Sequence, residues 1–137
     1  MKGSFNMGRE SERRLSFCVL NVLTSRIIEV VPDQGVEIDL PMAEELDRSM
    51  IAMMGNAFAI LVNKVNSYSV TFEAQLAIGT LKEVAATAVV VYDRGGEMGT
   101  EQIQAMTEDE SAKKDIVIFF DKGQALEWLE DKMAALP

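Results

Sequence analysis

The chain has 137 residues, of which 48% are apolar and 26% charged, and a formal net charge of −9. That length and balance fit one globular domain with its own core and exclude a disordered or fibrous chain. An acidic chain, with a pI near 4.5, repels phosphate backbones, which excludes nucleic-acid binding by the folded part, and the absence of histidine removes the commonest general base and metal ligand.

Residues 1–14 read as a flexible arm. They are polar and hold the one basic cluster, Lys2, Arg9, Arg13 and Arg14. The start lacks the continuous apolar core of a secretory signal. No window approaches the roughly 18 apolar residues of a membrane span. The expected location is the cytoplasm. The single cysteine, Cys18, forms no internal disulfide, which agrees with a reducing compartment. Its place in the apolar run Phe17-Cys18-Val19-Leu20 marks it as a small core residue.

Leu15 to Val22 is rich in strand formers and predicts a strand. Thr24-Ser25-Arg26 reads as a turn, and Ile27 to Val31 as a second strand that ends at Pro32-Asp33-Gln34-Gly35. Two strands joined by so short a turn form an antiparallel hairpin. Asp39 is placed to cap a helix with Pro41 in its first turn. Met42, Leu46, Met50, Met53 and Met54 recur at helical spacing, and Gly55 is the stop. A stripe at helical spacing reads as core; the alternative, since Met53 and Met54 are adjacent and point different ways, sets one of them at the surface, where it would suit a partner or a homodimer contact.

Phe58 to Val62 is a continuous apolar run, the pattern of a strand covered on both faces. Asn63 to Ser69 is polar and reads as a loop. A helix follows from Glu73 through Leu81 and Val84. Ala88 to Tyr92 is another buried-type strand, broken by Asp93-Arg94-Gly95-Gly96. Thr100 is placed to cap a helix carrying Ile103 and Met106, and Thr107 to Lys114 is polar. Ile116 to Phe120 is the last strand. Asp121 and Gln124 form a capping box for a final helix carrying Ala125, Leu126, Trp128, Leu129 and Met133. The order predicts a single α/β domain over 15–137. Its sheet is mixed, an N-terminal hairpin followed by parallel strands, with about five strands and about four helices.

That element order resembles STAS-like domains, the sulphate transporter and anti-sigma factor antagonist family. The likeness rests on the segment Leu61-Val62-Asn63-Lys64-Val65-Asn66-Ser67-Tyr68-Ser69-Val70 and on the ending Ile118-Phe119-Phe120-Asp121-Lys122-Gly123-Gln124-Ala125-Leu126-Glu127-Trp128-Leu129. It covers residues 15 to 135. The chain looks most like the uncharacterised branch near the bacterial sporulation anti-anti-sigma factor, sometimes grouped with lipid-binding Sec14-type domains. In the regulatory members a serine after the central strand opens the next helix, and its phosphorylation blocks partner binding. The corresponding segment here is Asn66-Ser67-Tyr68-Ser69. Asn66 stands where the family has an acid and the family's glycine is missing, so the resemblance assigns the switch to no single serine.

Two loops are candidate contact sites. The first is Asn63, Asn66, Ser67, Tyr68 and Ser69, with Ser67 and Ser69 as candidate phosphosites. A phosphate near a helix N-terminus would meet free N–H groups and would repel an acidic partner. Ser69 is equally explained as a plain N-cap. The second is Asp93, Arg94, Gly95, Gly96 and Glu97, expected at the same carboxyl edge of the sheet, where α/β folds bind ligands. Arg94 presents a planar fork for a carboxylate or phosphate; the other reading is a turn with a solvated Arg–Glu pair.

No Cys/His or Ser/His nucleophilic site can be assembled, and structural zinc is excluded on the same grounds. The acidic runs Glu44, Glu45, Asp47 and Glu108, Asp109, Glu110 read as solvated faces. No cofactor and no catalysis are expected. The first functional reading is a regulatory protein–protein interaction module of STAS type with an unknown protein partner. The alternative is a carrier or sensor of a small apolar ligand, motivated by the Sec14-type likeness and the methionine-rich helix.

Overall fold

The computed structural model describes residues 10–77, 81–92 and 116–136. The expected second loop at Asp93–Glu97, the helix at Thr100–Met106, and Lys2 and Arg9 of the basic cluster lie outside the described residues.

The hairpin forms as its sequence dictates. Strand β2 (Cys18–Thr24) pairs antiparallel with β3 (Ile27–Pro32), in register from Cys18↔Pro32, with an irregularity between Val22 and Thr24. Ahead of it, Glu12–Arg14 forms a short strand, β1, paired antiparallel with β2. The end of the expected arm is thus an edge strand. Its basic side chains are paired: Arg13 with Glu10, and Arg14 with both carboxylate oxygens of Asp33 at 2.8 Å.

After a two-residue strand, β4 (Glu37–Ile38), helix α1 spans Leu40–Met54. The Asp39 carboxylate accepts from the Met42 amide at 3.0 Å, and Gly55 ends the helix at φ 83°, a conformation that favours glycine. Met50, Met53 and Met54 are all buried. The core reading of the stripe therefore holds and the alternative of a surface methionine does not, because both neighbours turn into the same core with Phe17, Cys18, Leu20, Ile28, Val30 and Phe58.

Strand β5 (Phe58–Asn63) lies parallel to β3. The chain then forms β6 (Ser69–Val70), parallel to β4, and a short helix α2 (Phe72–Ala77). Strand β7 covers Val84–Val90, so Val84, expected at the end of a helix, begins a strand instead. The helical spacing of Leu81 and Val84 imitated a longer helix across this boundary. Strand β8 (Ile116–Phe119) and helix α3 (Lys122–Ala134) complete the described chain. The Asp121 carboxylate caps α3 by accepting from Gly123 at 3.0 Å.

Among the described residues the main sheet has six strands in the order β1-β2-β3-β5-β7-β8, with β3, β5, β7 and β8 mutually parallel. Its two faces bury different sets. One face packs on α1 and on Ala74 of α2. The other, Ile27, Ala59, Leu61, Ala86, Ala88 and Val90, packs on Ala125, Leu129 and Met133 of α3. No helix of the described residues is long and apolar enough to cross a membrane.

Candidate functional site

The segment 64–71 crosses above the carboxyl ends of β3 and β5 and is stapled to the segment after β3. The Asn66 side chain donates to the Pro32 carbonyl at 3.0 Å, and the Ser67 amide donates to Gln34 Oε1 at 3.0 Å. The Gly35, Ser69 and Thr71 amides donate to the carbonyls of Ser67, Val36 and Ile38. The result is a ledge tied to the segment after β3 by five hydrogen bonds. Tyr68 packs against the α1-side core with the Lys64 ammonium 4.5 Å from its ring centre. Ser67 and Ser69 are exposed.

Four of the five expected loop residues, Asn66, Ser67, Tyr68 and Ser69, lie on this ledge. Ser69 is not the cap of α2: it belongs to β6, in register with Glu37. The cap is Thr71, whose hydroxyl accepts from the Ala74 amide at 3.2 Å. No serine therefore occupies the N-terminus of α2. Beyond Thr71 the helix is inverted. At 100° per residue, Ala74, fully buried, points inward, while Phe72 and Leu76 share the opposite stripe. They are 70% and 56% exposed.

Asn63 goes elsewhere. At the end of β5 its side chain turns to the α3 face and donates to Glu29 at 2.9 Å, while its amide oxygen accepts from the Tyr92 hydroxyl at 2.8 Å. Glu29 sits in the middle of β3 with a side chain 6% exposed. It also accepts from Asn21 at 3.1 Å and pairs with the Lys122 ammonium at 3.0 Å. Burial by itself would raise the Glu29 pKa. The hydrogen bonds from Asn63, Lys122 and Asn21, with the charge of Lys122, outweigh it and hold the carboxyl below the ordinary glutamate range. Four strands or their ends and the first residue of α3 thus meet in one polar cluster. Among the described residues no buried side-chain nitrogen or oxygen lacks a partner.

The cluster carried a signal in the sequence. Glu29 and Asn63 are each the lone polar residue in or ending an apolar strand, and Asn21 is the one polar residue inside β2 before its terminal Thr24. Cross-strand registers bring Asn21 opposite Glu29 and place Asn63 one alternation beyond Leu61, the partner of Glu29. The exposed Phe72 and Leu76 also had a signal, their i, i+4 spacing, which reads as a core stripe until the inward position of Ala74 is known. Among the described residues no group of three Cys, Asp or Glu side chains gathers where an ion would sit. Cys18 is fully buried, and burial followed by the Asp33 charge pushes its thiol up to about 12.

No family model and no curated protein matches this sequence. A solved structure does match: an uncharacterised protein of the DUF3478 family with a SpoIIAA-like fold, from Shewanella loihica PV-4. It superposes with a TM-score of 0.53 at 14% identity, covering 86% of this chain and 89% of that one. At that identity the likeness concerns fold alone, and it agrees with the strand order found here: the chain has a SpoIIAA-like fold, the architecture expected of a STAS-type domain.

Proposed function

We propose that the chain is a non-catalytic binding module of STAS type that regulates through protein–protein contact, with the ledge Asn66–Ser69 and the outer stripe of α2 as its contact surface. The carrying observation is the inverted helix, with Phe72 and Leu76 directed outward beside two exposed serines. A solvent-facing stripe is ordinarily polar, and aromatic and aliphatic anchors are what a partner pocket takes up. The sheet supports the same reading. Its parallel strands run β3-β5-β7-β8 in chain order, without the reversal that opens a ligand crevice in α/β folds. The methionines that suggested an apolar-ligand carrier pack into the core.

The test is capture from extracts of the native host with immobilised protein. Phe72→Ser/Leu76→Ser should abolish capture of any partner retained by the parent chain, and Ser67→Glu/Ser69→Glu should weaken it. A partner held equally by the parent and the Phe72→Ser/Leu76→Ser variant would remove this surface from the function.

A further inference from the structure

The charges around the α2 stripe are arranged in a way that specifies its partner. The Glu37↔Ser69 register and the bond from the Thr71 amide to the Ile38 carbonyl (2.9 Å) set Glu37 and Asp39 alongside the entry to α2. Glu73 flanks Phe72 on the helix itself, and all three acids are exposed. Helix α1, which packs against α2, carries Glu44, Glu45 and Asp47 with one cation, Arg48, so the element behind the stripe is itself net negative. The cation of the ledge, Lys64, lies over the Tyr68 ring. The N-terminal side of the apolar pair is thus flanked by three exposed acids, Glu37, Asp39 and Glu73.

We infer that this surface takes a protein segment whose apolar side chains are flanked by lysine or arginine, the Phe72–Leu76 stripe meeting the apolar side chains and Glu37, Asp39 and Glu73 meeting the cations. This assignment rests on the reading of α2 as the contact surface and adds the chemistry of what binds there. Charge decides among the occupants. A second copy would set like charges against each other, and nucleic acid and anionic lipid would bring more negative charge to these acids, whereas a basic partner gains steering and specificity.

The probe is a synthetic amphipathic peptide of leucine and lysine, about 14 residues long, as for helices that dock by one face, with a composition-matched scramble. Fluorescence anisotropy reads binding to the full chain. The amphipathic peptide should bind at least about tenfold more tightly than the scramble, and the preference should fall severalfold between low salt and about 0.3 M salt. Phe72→Ser/Leu76→Ser and, separately, Glu37→Gln/Glu73→Gln should each weaken it about tenfold, with unfolding curves confirming that both variants fold. Equal binding of the scramble, no effect of either double variant, or concentration-dependent self-association that depends on Phe72 would overturn the assignment. If the peptide fails while host capture still depends on Phe72 and Leu76, the contact surface stands and the basic partner is rejected. If both fail, both are rejected.

Discussion

Replacing Lys122 by methionine keeps the length and packing of the side chain and removes the ammonium from Glu29. The carboxylate left behind is 6% exposed, whereas Lys122 is 42% exposed. Breaking a fully buried pair costs about 3–5 kcal/mol, and an exposed pair about 0–1 kcal/mol. Asn21 and Asn63 still donate to Glu29, and the Lys122 side adjoins water, so a loss of about 2 kcal/mol is expected. Urea unfolding followed by Trp128, the single tryptophan, measures it; the ring lies 5.7 Å from that of Phe119. The pH dependence identifies the cause. In the parent the depressed Glu29 pKa contributes stability above the ordinary carboxylate range, lost as pH falls through its folded value. In Lys122→Met burial prevails, the Glu29 pKa rises, and protonation relieves the penalty. The gap between the two proteins should therefore be widest at about pH 7 and shrink by about pH 4. Adding Glu29→Gln to Lys122→Met should recover part of the loss. A gap under about 0.5 kcal/mol, or one that does not change with pH, would show that the pair carries no stability.

Two further outcomes follow from the same physics. Burial and then the neighbouring Glu44 raise the Asp47 pKa to about 6, against the opposing effect of Arg48. Its folded form holds the proton more tightly, so stability from this group is full at low pH and is lost as pH rises through about 6. Asp47→Asn should then raise stability at neutral pH by about 1 kcal/mol, the figure being reduced for partial exposure, and flatten the unfolding midpoint between about pH 4 and 7; a variant no more stable than the parent at neutral pH refutes it. Cys18, fully buried with its pKa raised to about 12, should react with a thiol reagent only at the rate of opening; labelling of the native protein as fast as in urea contradicts its burial.

The elements with strong local signals were legible in the sequence. Asp39, Gly55 and Asp121 punctuate α1 and α3 where expected, and apolar runs mark β3, β5 and β8. What was hidden depends on neighbours distant in the chain. Glu12–Arg14 has the charge of a tail, yet charged side chains are how an edge strand discourages foreign pairing. The ribbon of β4 and β6 has two-residue strands, too short for any periodicity. The ledge residues were found by polarity alone, but Asn63 left them for Glu29, because alternation along β5 turns it to the α3 face. That choice is set by a strand 34 residues away.

The division of the sheet into two faces gives α3 an outsized part in assembly. Strands β3, β5 and β7 can line up with α1 and α2 closing one side, but among the described residues the opposite side is covered only when Lys122–Ala134 arrives. Until then a wall of Ile27, Leu61, Ala88 and Val90 faces water, with the Glu29 carboxylate in it and no Lys122 beside it. A chain stopped after β8 therefore presents a sticky apolar plane, the kind of surface chaperones hold and proteases clear. Thirteen residues of helix seal that plane and bring its counter-charge in the same docking step.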